Sequence, residues 1–231
     1  MNGPAPEAEA ADSVVADILA VATREFAQHG LAGARIERIQ QHTRTSKRMV
    51  YYHFGSKEGL YRAVLEHAFE TVRRVDQAFD PHAGTPEEAL RQIARNAFDA
   101  FHAHPEFVRL LTFENLAGAP FLRSSEQVSR LNRRALTDLD TVIARGQQDG
   151  SVRRDVHAID VYINIVGLCH YHMAHHAGYL AGGFVDADQR HIQSQDFHRQ
   201  RQRAIEESCW RYAKADAAAT AHVSACVHPP H

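Results

Sequence analysis

The sequence predicts an all-α fold with about nine helices. Apolar residues recur three and four positions apart through most of the chain, which is the spacing of a helix that buries one face. No segment alternates apolar and polar residues as a half-buried strand does, and no hairpin-type turn joins two such segments. With 231 residues, of which 44% are hydrophobic, the chain suffices for one large helical domain, or for a small and a large one.

The first predicted helix follows a segment that has little to bury. Residues 1–12 are rich in Ala, Pro and Glu, and we expect them to form a disordered, mobile tail. Ser13 is suited to cap the helix, and Gly30 is suited to end it.

Two short helices and one long helix come next. Residues 35–42 and 46–53 are apolar at helical spacing and are separated by the polar run Thr43-Arg44-Thr45-Ser46, which indicates a helix, a short turn and a helix. Ser56 is suited to cap the long helix, which should end before Pro81.

The clearest helix start in the sequence is a capping box. Thr85 stands at the N-cap position, Pro86 at the first helical position and Glu88 at the third. The helix that they open should end at His104-Pro105, and Pro105 can itself begin a short helix that stops at Gly118.

Three longer helices complete the predicted fold, and Asp155 is suited to cap the second of them. They are expected at about 123–148, 155–178 and 188–213. The remaining residues, 215–231, lack helical periodicity and should be a loose tail.

Composition argues against several classes of protein. Cys169, Cys209 and Cys226 lie far apart without CxxC spacing, which argues against a disulfide framework or a thiolate zinc module. No apolar run approaches the ~18 residues of a membrane span, and the first residues lack a signal-peptide pattern. We find no nucleophile elbow, phosphate-binding glycine loop or carboxylate pair near a histidine. The sequence therefore predicts a soluble cytoplasmic protein that is not an enzyme and needs no cofactor.

A basic segment indicates nucleic-acid binding. Residues 35–57 contain six Lys or Arg and one acid, Glu37, whereas the whole chain has a formal charge of −2. Concentrated positive charge in an otherwise acidic protein is typical of a surface that contacts phosphate. The alternative, a solvated charged face on an ordinary helix pair, fits less well because the charge is concentrated at the turn and the second helix.

The same region resembles the DNA-binding domain of TetR/AcrR-type transcriptional repressors. The resemblance is carried by ILAVATREFAQHG, a first helix ending in Phe-x-x-x-Gly, and by TSKRMVYYHFGSKEGLYRAVLEHAF. In the second segment Tyr51, Phe54, Lys57 and Glu58 fall at the spacing of that family's Tyr-x-x-Phe-x-x-Lys-Glu motif. Downstream, HPEFVRLLTFENLAGAPFL and DGSVRRDVHAIDVYINIVGLCHYHMA resemble the ligand-binding domain of RutR-like members.

The turn of the helix pair departs from the family pattern. The usual Ala-Gly-Val-Ser is replaced by Thr43-Arg44-Thr45-Ser46. Glycine adopts a positive φ at little cost at the end of a helix, so either Arg44 must tolerate that conformation or the turn must have a different geometry.

The resemblance implies that the second helix of the pair enters the major groove of double-stranded operator DNA. Lys47, Arg48 and Met49 would then face base edges, while Thr45 and Ser46 would cap the helix and offer groups to phosphate. The predicted DNA-binding residues are Arg35, Arg44, Thr45, Ser46, Lys47, Arg48, Met49, Tyr51, Tyr52, His53 and Lys57. Phe54 is expected in the core, and Tyr51 can also bury part of its ring.

By the same analogy, the chain is a homodimer that pairs through its last two long helices, which are apolar enough to be buried on more than one face. A small-molecule effector should bind among the middle helices. The candidate lining residues are Phe69, Phe98, Phe101, Leu110, Phe113, Tyr162, Cys169, His172, Met173 and His176. Each of them also fits ordinary helix packing.

The histidine-rich run from His170 to His176 offers an alternative role. His172 and His176 are four residues apart on one helix and can ligate one metal ion, although no carboxylate lies within the run. A histidine that lines the effector pocket or the dimer face fits the run better.

Together these features predict a ligand-responsive repressor that binds a palindromic operator as a homodimer. The predicted division is 1–12 tail, 13–57 helix-turn-helix domain, 58–214 ligand-binding and dimerisation domain, and 215–231 tail. Alternatives are a protein that binds DNA without sequence preference and a metal-responsive regulator that uses the His170–His176 run.

Overall fold

The computed structural model of the chain describes residues 6–175, 178 and 195–215. Within those ranges the protein has ten α-helices and one 3-10 helix and no strand, so the all-α prediction is confirmed. The helices are α1 (Pro6–Gly33), α2 (Ile36–Gln41), α3 (Lys47–Phe54), α4 (Lys57–Arg73), α5 (Pro86–Ala103), α6 (Pro105–Leu116), α7 (Pro120–Ser124), α8 (Glu126–Asp149), α9 (Ala158–Ala174) and α10 (Gln195–Ala213). The 3-10 helix, Arg74–Ala78, follows α4 directly.

Helix caps confirm some of the predicted boundaries. In the capping box, the amide of Glu88 donates to Thr85 Oγ1 at 3.2 Å, and the amide of Thr85 donates to Glu88 Oε2 at 2.8 Å. Ser56 caps α4, since its hydroxyl accepts from the amide of Gly59 at 3.0 Å. These side chains satisfy amides that would otherwise lack a partner in the first turn.

Other predicted boundaries are wrong. Helix α1 begins at Pro6 and not at Ser13, because the Ala- and Glu-rich residues before Ser13 favour helix more than the serine favours a cap. The helix also continues to Gly33, with a kink at Gly30 (φ 62°, ψ 176°). The N-cap of α9 is His157, and Asp155 instead forms an ion pair with Arg153 at 3.3 Å. The short helix α7 was not predicted as a separate element.

The chain forms two compact units. The N-terminal unit comprises Met1–Arg73 with His104–Leu131, and the C-terminal unit comprises Arg74–Ala103 with Asn132–His231, within the described residues. Helices α4, α6 and α7 therefore pack in the same unit as α1 to α3. The functional boundary expected at residue 57 stays a prediction.

In the N-terminal unit, α1 packs against α2, α4 and α6 around an aromatic core. The ring of Tyr61 makes edge contacts with Phe26 at 5.0 Å and with Phe121 at 5.1 Å. Glu114, only 1% exposed, accepts hydrogen bonds from the amides of Phe121 (2.7 Å) and Leu122 (3.2 Å). Burial and the adjacent Glu114 carboxylate raise the pKa of Tyr61 well above its ordinary value, so its hydroxyl remains protonated. These contacts join α4, α6 and α7.

In the C-terminal unit, α10 packs against α5 and α9. Arg95 on α5 makes two hydrogen bonds to the buried carboxylate of Glu206 on α10, at 3.0 and 2.9 Å. One turn away, Arg91 bonds Glu207 at 2.8 Å. Paired guanidinium–carboxylate contacts of this kind fix the register of two helices as well as stabilising them.

No helix in the described part of the chain is long and apolar enough to cross a membrane.

Candidate nucleic-acid interface and effector region

Helix α1 holds α2 through one carboxylate. Glu25, on α1, accepts hydrogen bonds from Arg38 Nε (2.8 Å) and from the amide of Arg35 (2.9 Å), and Arg38 also reaches the carbonyl of Gly33 at 2.8 Å. Burial raises the pKa of Glu25, but the hydrogen bonds from Arg38 and Arg35 outweigh it, so this pKa lies below its ordinary value. The side chain is therefore charged at neutral pH and fixes the start of α2 on α1.

The turn between α2 and α3 needs no left-handed residue. In the described residues Ala119 is the one non-glycine with a positive φ, so Arg44 does not adopt the conformation that glycine favours. The chain turns instead through His42 (φ −110°, ψ 8°), and the amide of Arg44 donates to Asp17 of α1 at 3.1 Å. The unusual Thr-Arg-Thr-Ser turn is thus held from outside by an acid on the first helix.

Ser46 is the cap of α3. Its hydroxyl accepts a hydrogen bond from the amide of Met49 at 3.3 Å. Thr45, which was predicted to share this role, lies one residue before the N-cap position and makes no capping bond, so that part of the prediction is wrong.

Helix α3 has one buried and one exposed face. Val50 is 1% exposed and anchors the helix to the unit. The side chains of Arg48, Met49, Tyr51 and Tyr52 are exposed, and Tyr52 is the most open of them at 77%. An exposed helix that carries a cation, an apolar chain and two phenols suits contact with base edges and phosphates.

Lys47 forms an ion pair within the protein. Its Nζ lies 2.5 Å from Glu37 Oε1 on α2 and 6.0 Å from the centre of the Tyr51 ring. The hydrogen bond to Lys47 lowers the pKa of Glu37, and the same bond raises the pKa of Lys47. Arg48, by contrast, makes no ion pair or hydrogen bond with the residues that the structure describes. Its guanidinium group can therefore approach a base without breaking an existing interaction with those residues.

The other predicted DNA-binding residues divide by exposure. The side chains of Arg35 and Arg44 are exposed. Lys57 donates to the carbonyl of Ala32 at 3.4 Å. His53 is half-buried, and its Nε2 atom is enclosed without a hydrogen-bond partner among the described residues. The enclosed Nε2 atom of His53 therefore has no access to a phosphate.

We expect Glu37→Gln to strengthen DNA binding about threefold at low salt, the order expected for one exposed charge next to phosphates. The substitution removes a negative charge next to the binding face and releases Lys47 from its partner. Because this gain is electrostatic, it should be similar for specific and unrelated duplexes and should shrink as salt is raised. Fluorescence anisotropy at two salt concentrations measures it.

The matched control for that substitution is Glu126→Gln. Glu126 is an exposed acid in the first turn of α8, so the change in net charge is identical. If both variants bind DNA equally well, then the Glu37–Lys47 pair has no specific influence on the interface.

The structure divides the predicted effector residues between the two units. Phe69 and Leu110 are buried in the N-terminal unit, where Phe69 meets Phe107 edge to face at 5.0 Å. Phe113, in the same unit, is 37% exposed. Its ring packs against Gly30 so closely that a Cβ at that position would lie 3.1 Å from the ring. The remaining described candidates lie in the C-terminal unit: Phe98, Phe101, Tyr162, Cys169, His172 and Met173. His176 lies outside the described residues.

Phe98 is the centre of an aromatic and histidine cluster in the C-terminal unit. Its buried ring stacks with His172 of α9 at 5.7 Å and meets His198 of α10 at 4.9 Å. His102 lies 4.3 Å from His198, whose Nε2 is 3.4 Å from Asp99 Oδ1. Polar rings that converge on one buried aromatic are suited to orient a small polar ligand.

Metal binding receives no support from the described residues. They contain no group of three or more His, Cys, Asp or Glu that could hold an ion, and His176 falls outside them. Burial raises the pKa of the Cys169 thiol to about 12, with smaller contributions from Cys209 and Asp99, so it is not a thiolate at neutral pH.

Helix α9 is apolar on two opposite faces. Val161, Ile165 and Cys169 are buried within the unit. On the opposite side, at steps of four residues, are Ile159 (47% exposed), Ile163 (60% exposed), Gly167 and Tyr171 (57% exposed). The described residues of α10 contribute no large exposed apolar side chain, so the predicted second apolar face is present on α9 and is not seen in the described part of α10.

Comparison with known proteins identifies the family. Residues 86–205 match the family model described as "Tetracyclin repressor-like, C-terminal domain". Residues 18–64, which span the helix-turn-helix just described, match "Bacterial regulatory proteins, tetR family". The chain belongs to the TetR family of transcriptional regulators.

Two relatives in the family are named as repressors. The chain is 34% identical over 165 residues to the transcriptional repressor NicS of Pseudomonas putida, which covers 71% of this chain and 78% of NicS. It is 30% identical over 162 residues to the repressor SCO4008 of Streptomyces coelicolor, and this alignment covers 69% of this chain and 78% of SCO4008. Like these TetR-family relatives, it is a transcriptional regulator and not an enzyme.

Solved structures share the TetR-family fold. The regulator SCO4942 of Streptomyces coelicolor aligns with a TM-score of 0.63 at 26% identity, over 87% of this chain and 98% of that one. FadR of Bacillus subtilis, solved in complex with stearoyl-CoA, aligns with a TM-score of 0.59 at 14% identity, over 84% of this chain and 96% of the FadR chain. At that identity FadR shows the fold alone.

Several residues that shape the interface carried no clear signal in the sequence. Asp17 and Glu25 act on residues 27 and 13 positions away, respectively, and a single sequence does not show such pairings. Gly59 gave a weak signal, since a glycine inside a predicted helix indicates close packing against another part of the chain.

Proposed function

We propose that this TetR-family member is a ligand-responsive repressor that binds a palindromic operator as a homodimer, in the cytoplasm where that DNA lies. The exposed face of α3 carries this proposal. Arg48 has no ion-pair or hydrogen-bond partner among the described residues, Met49, Tyr51 and Tyr52 are exposed beside it, and Ser46 caps the helix end that would approach the groove. Arginine recognises guanine through O6 and N7, and the free first-turn amides favour phosphate.

The apolar outer face of α9 supports the homodimer. Ile159, Ile163 and Tyr171 would be costly to leave in water along one stripe, and Gly167 lets a second helix approach closely. A two-fold dimer presents two copies of α3, which match half-sites one DNA turn, about 34–36 Å, apart.

The cluster around Phe98 supports the effector site. It combines a buried aromatic ring with histidines from α5, α9 and α10, and it includes the predicted residue His172. A ligand there would favour one arrangement of these three helices over another. If the favoured arrangement no longer places the two α3 helices in successive major grooves, the repressor releases its DNA. FadR, which shares the fold, holds an acyl-CoA, so by analogy this fold can enclose a small molecule.

The test is selection of a preferred duplex from a random pool by the purified protein, followed by anisotropy titration of that duplex and a scrambled one at fixed salt. We expect a preference of roughly 10³ or more, as is usual for specific regulators. Lys47→Ala/Arg48→Ala should remove most of it, since each base-contacting pair contributes about 1–3 kcal/mol of discrimination.

Two outcomes contradict the proposal. A ratio near one between the two duplexes indicates binding without sequence preference. A preference that survives in the double variant assigns base readout to other residues. Arg123→Ala/Arg130→Ala, at exposed positions on α7 and α8, controls for the loss of two positive charges.

A further inference from the structure

A cavity of about 260 Å³ lies within the N-terminal unit, between α1, α4 and the start of α6. It is separate from the Phe98 cluster, which belongs to the C-terminal unit. Pockets for drug-sized molecules begin at about 300 Å³, so this one suits a smaller metabolite.

Two opposite charges line this cavity without pairing with each other. Arg24 lies on α1 and Glu106 lies on α6. Neither side chain makes a hydrogen bond or an ion pair with any residue in the described part of the chain. Both charges are therefore available to a ligand.

The rest of the lining includes both apolar and polar side chains. Ala68 of α4 and Phe107 of α6 are buried, and Phe107 is held by its edge contact with Phe69. His67 and His104 add imidazoles that can donate or accept hydrogen bonds, and neither has a side-chain partner among the described residues.

We propose that this cavity binds a zwitterionic α-amino acid with an apolar side chain. Such a ligand places its carboxylate at Arg24, its ammonium at Glu106 and its side chain against Ala68 and Phe107. A simple carboxylate leaves Glu106 unpaired, and a simple amine leaves Arg24 unpaired, so each uses half of the charged lining.

The position of the cavity gives the ligand a route to the DNA-binding helices. Helix α1 holds α2 through Glu25 and the turn through Asp17. Helix α4 packs on α3 at Gly59. An amino acid that bridges α1, α4 and α6 therefore stabilises one arrangement of the helices that support α3, and operator affinity should change when the site is filled.

Isothermal titration calorimetry of the full chain without DNA tests the binding. The probes are L-leucine, 4-methylpentanoate, which lacks the ammonium, and 3-methylbutylamine, which lacks the carboxylate. We expect L-leucine to bind at least about tenfold more tightly than either analogue. Since no DNA is present, the result does not depend on the proposed repressor function.

Two variants assign the charges to the two ends of the ligand. Arg24→Gln should remove the advantage of L-leucine over 3-methylbutylamine, and Glu106→Gln should remove its advantage over 4-methylpentanoate. Arg130→Gln and Glu126→Gln, at exposed positions on α8, are matched controls that should bind L-leucine as the wild type does. Thermal unfolding of each variant verifies that it folds.

Three results overturn the proposal. Equal binding of 4-methylpentanoate and L-leucine shows a site for anions only. L-leucine binding that neither variant weakens shows a site elsewhere, and no heat from any probe shows that the cavity does not take this class of ligand.

Discussion

Gly59→Ala is expected to weaken specific DNA binding strongly while leaving the protein folded but less stable. Gly59 lies in the first turn of α4, and a Cβ there would overlap the carbonyl oxygen of Phe54 at the end of α3. That oxygen belongs to the backbone and already accepts a hydrogen bond from the amide of Ser56 at 2.8 Å, so it cannot rotate aside. The end of α3 must move away from α4.

The sign of the stability change separates this explanation from helix propensity. Alanine is favoured over glycine inside a helix by about 1 kcal/mol, so propensity alone predicts a more stable variant. Overpacking against backbone costs typically about 1–3 kcal/mol, so the contact predicts a less stable one. Chemical denaturation of both proteins measures the difference in the free energy of unfolding.

Displacement of α3 should also lower operator affinity about 100-fold. Base contacts contribute about 1–3 kcal/mol each, and the proposed dimer loses them at both half-sites. Gly33→Ala is the matched control, because Gly33 is helical and a Cβ there would lie 3.4 Å from its nearest neighbour, an ordinary contact. A Gly59→Ala protein that binds the selected duplex as the wild type does would show that α3 is positioned by other contacts.

The elements that local chemistry specifies were predictable from the sequence. Thr85 and Glu88 interact across only three positions of the chain, and the structure has the capping box that this spacing predicts. The start of α1 was mispredicted because a serine that is suited to cap a helix also occurs inside one when the residues before it favour helix. His157 stands at the N-cap of α9 without a side-chain bond, although the local pattern favours Asp155 as the cap.

The helix that we propose to bind DNA was predictable from the sequence, but the interactions that hold it in place were not. The positive charge and the Tyr-x-x-Phe-x-x-Lys-Glu spacing locate α3 directly. However, the Glu37–Lys47 pair and the Asp17 contact to the turn depend on how α1 and α2 pack, and long-range packing leaves no periodic signal. The effector residues were the least predictable, because Phe69 and Leu110 share the apolar spacing of Phe98 while lying in a different unit.

Ile163→Glu is expected to convert the proposed dimer into a folded monomer. Ile163 is 60% exposed at the middle of the outer face of α9, between Ile159 and Gly167. Glutamate is at least as good a helix former as isoleucine, and in the protomer it would be in water, so the fold should not lose stability. In a dimer, two-fold symmetry would bring the two carboxylates into one apolar interface, where they cannot be solvated.

The consequence for DNA binding follows from linkage of the two half-sites. A monomer binds one half-site, and losing the second costs roughly 10²-fold or more in affinity because the second contact is no longer intramolecular. Sedimentation velocity gives the mass, and anisotropy on the selected duplex gives the affinity. Gln148→Glu, which adds the same charge at an exposed position on α8, should leave both unchanged. A variant that remains dimeric would mean that the subunits pair through another surface and that the apolar stripe on α9 has a different occupant.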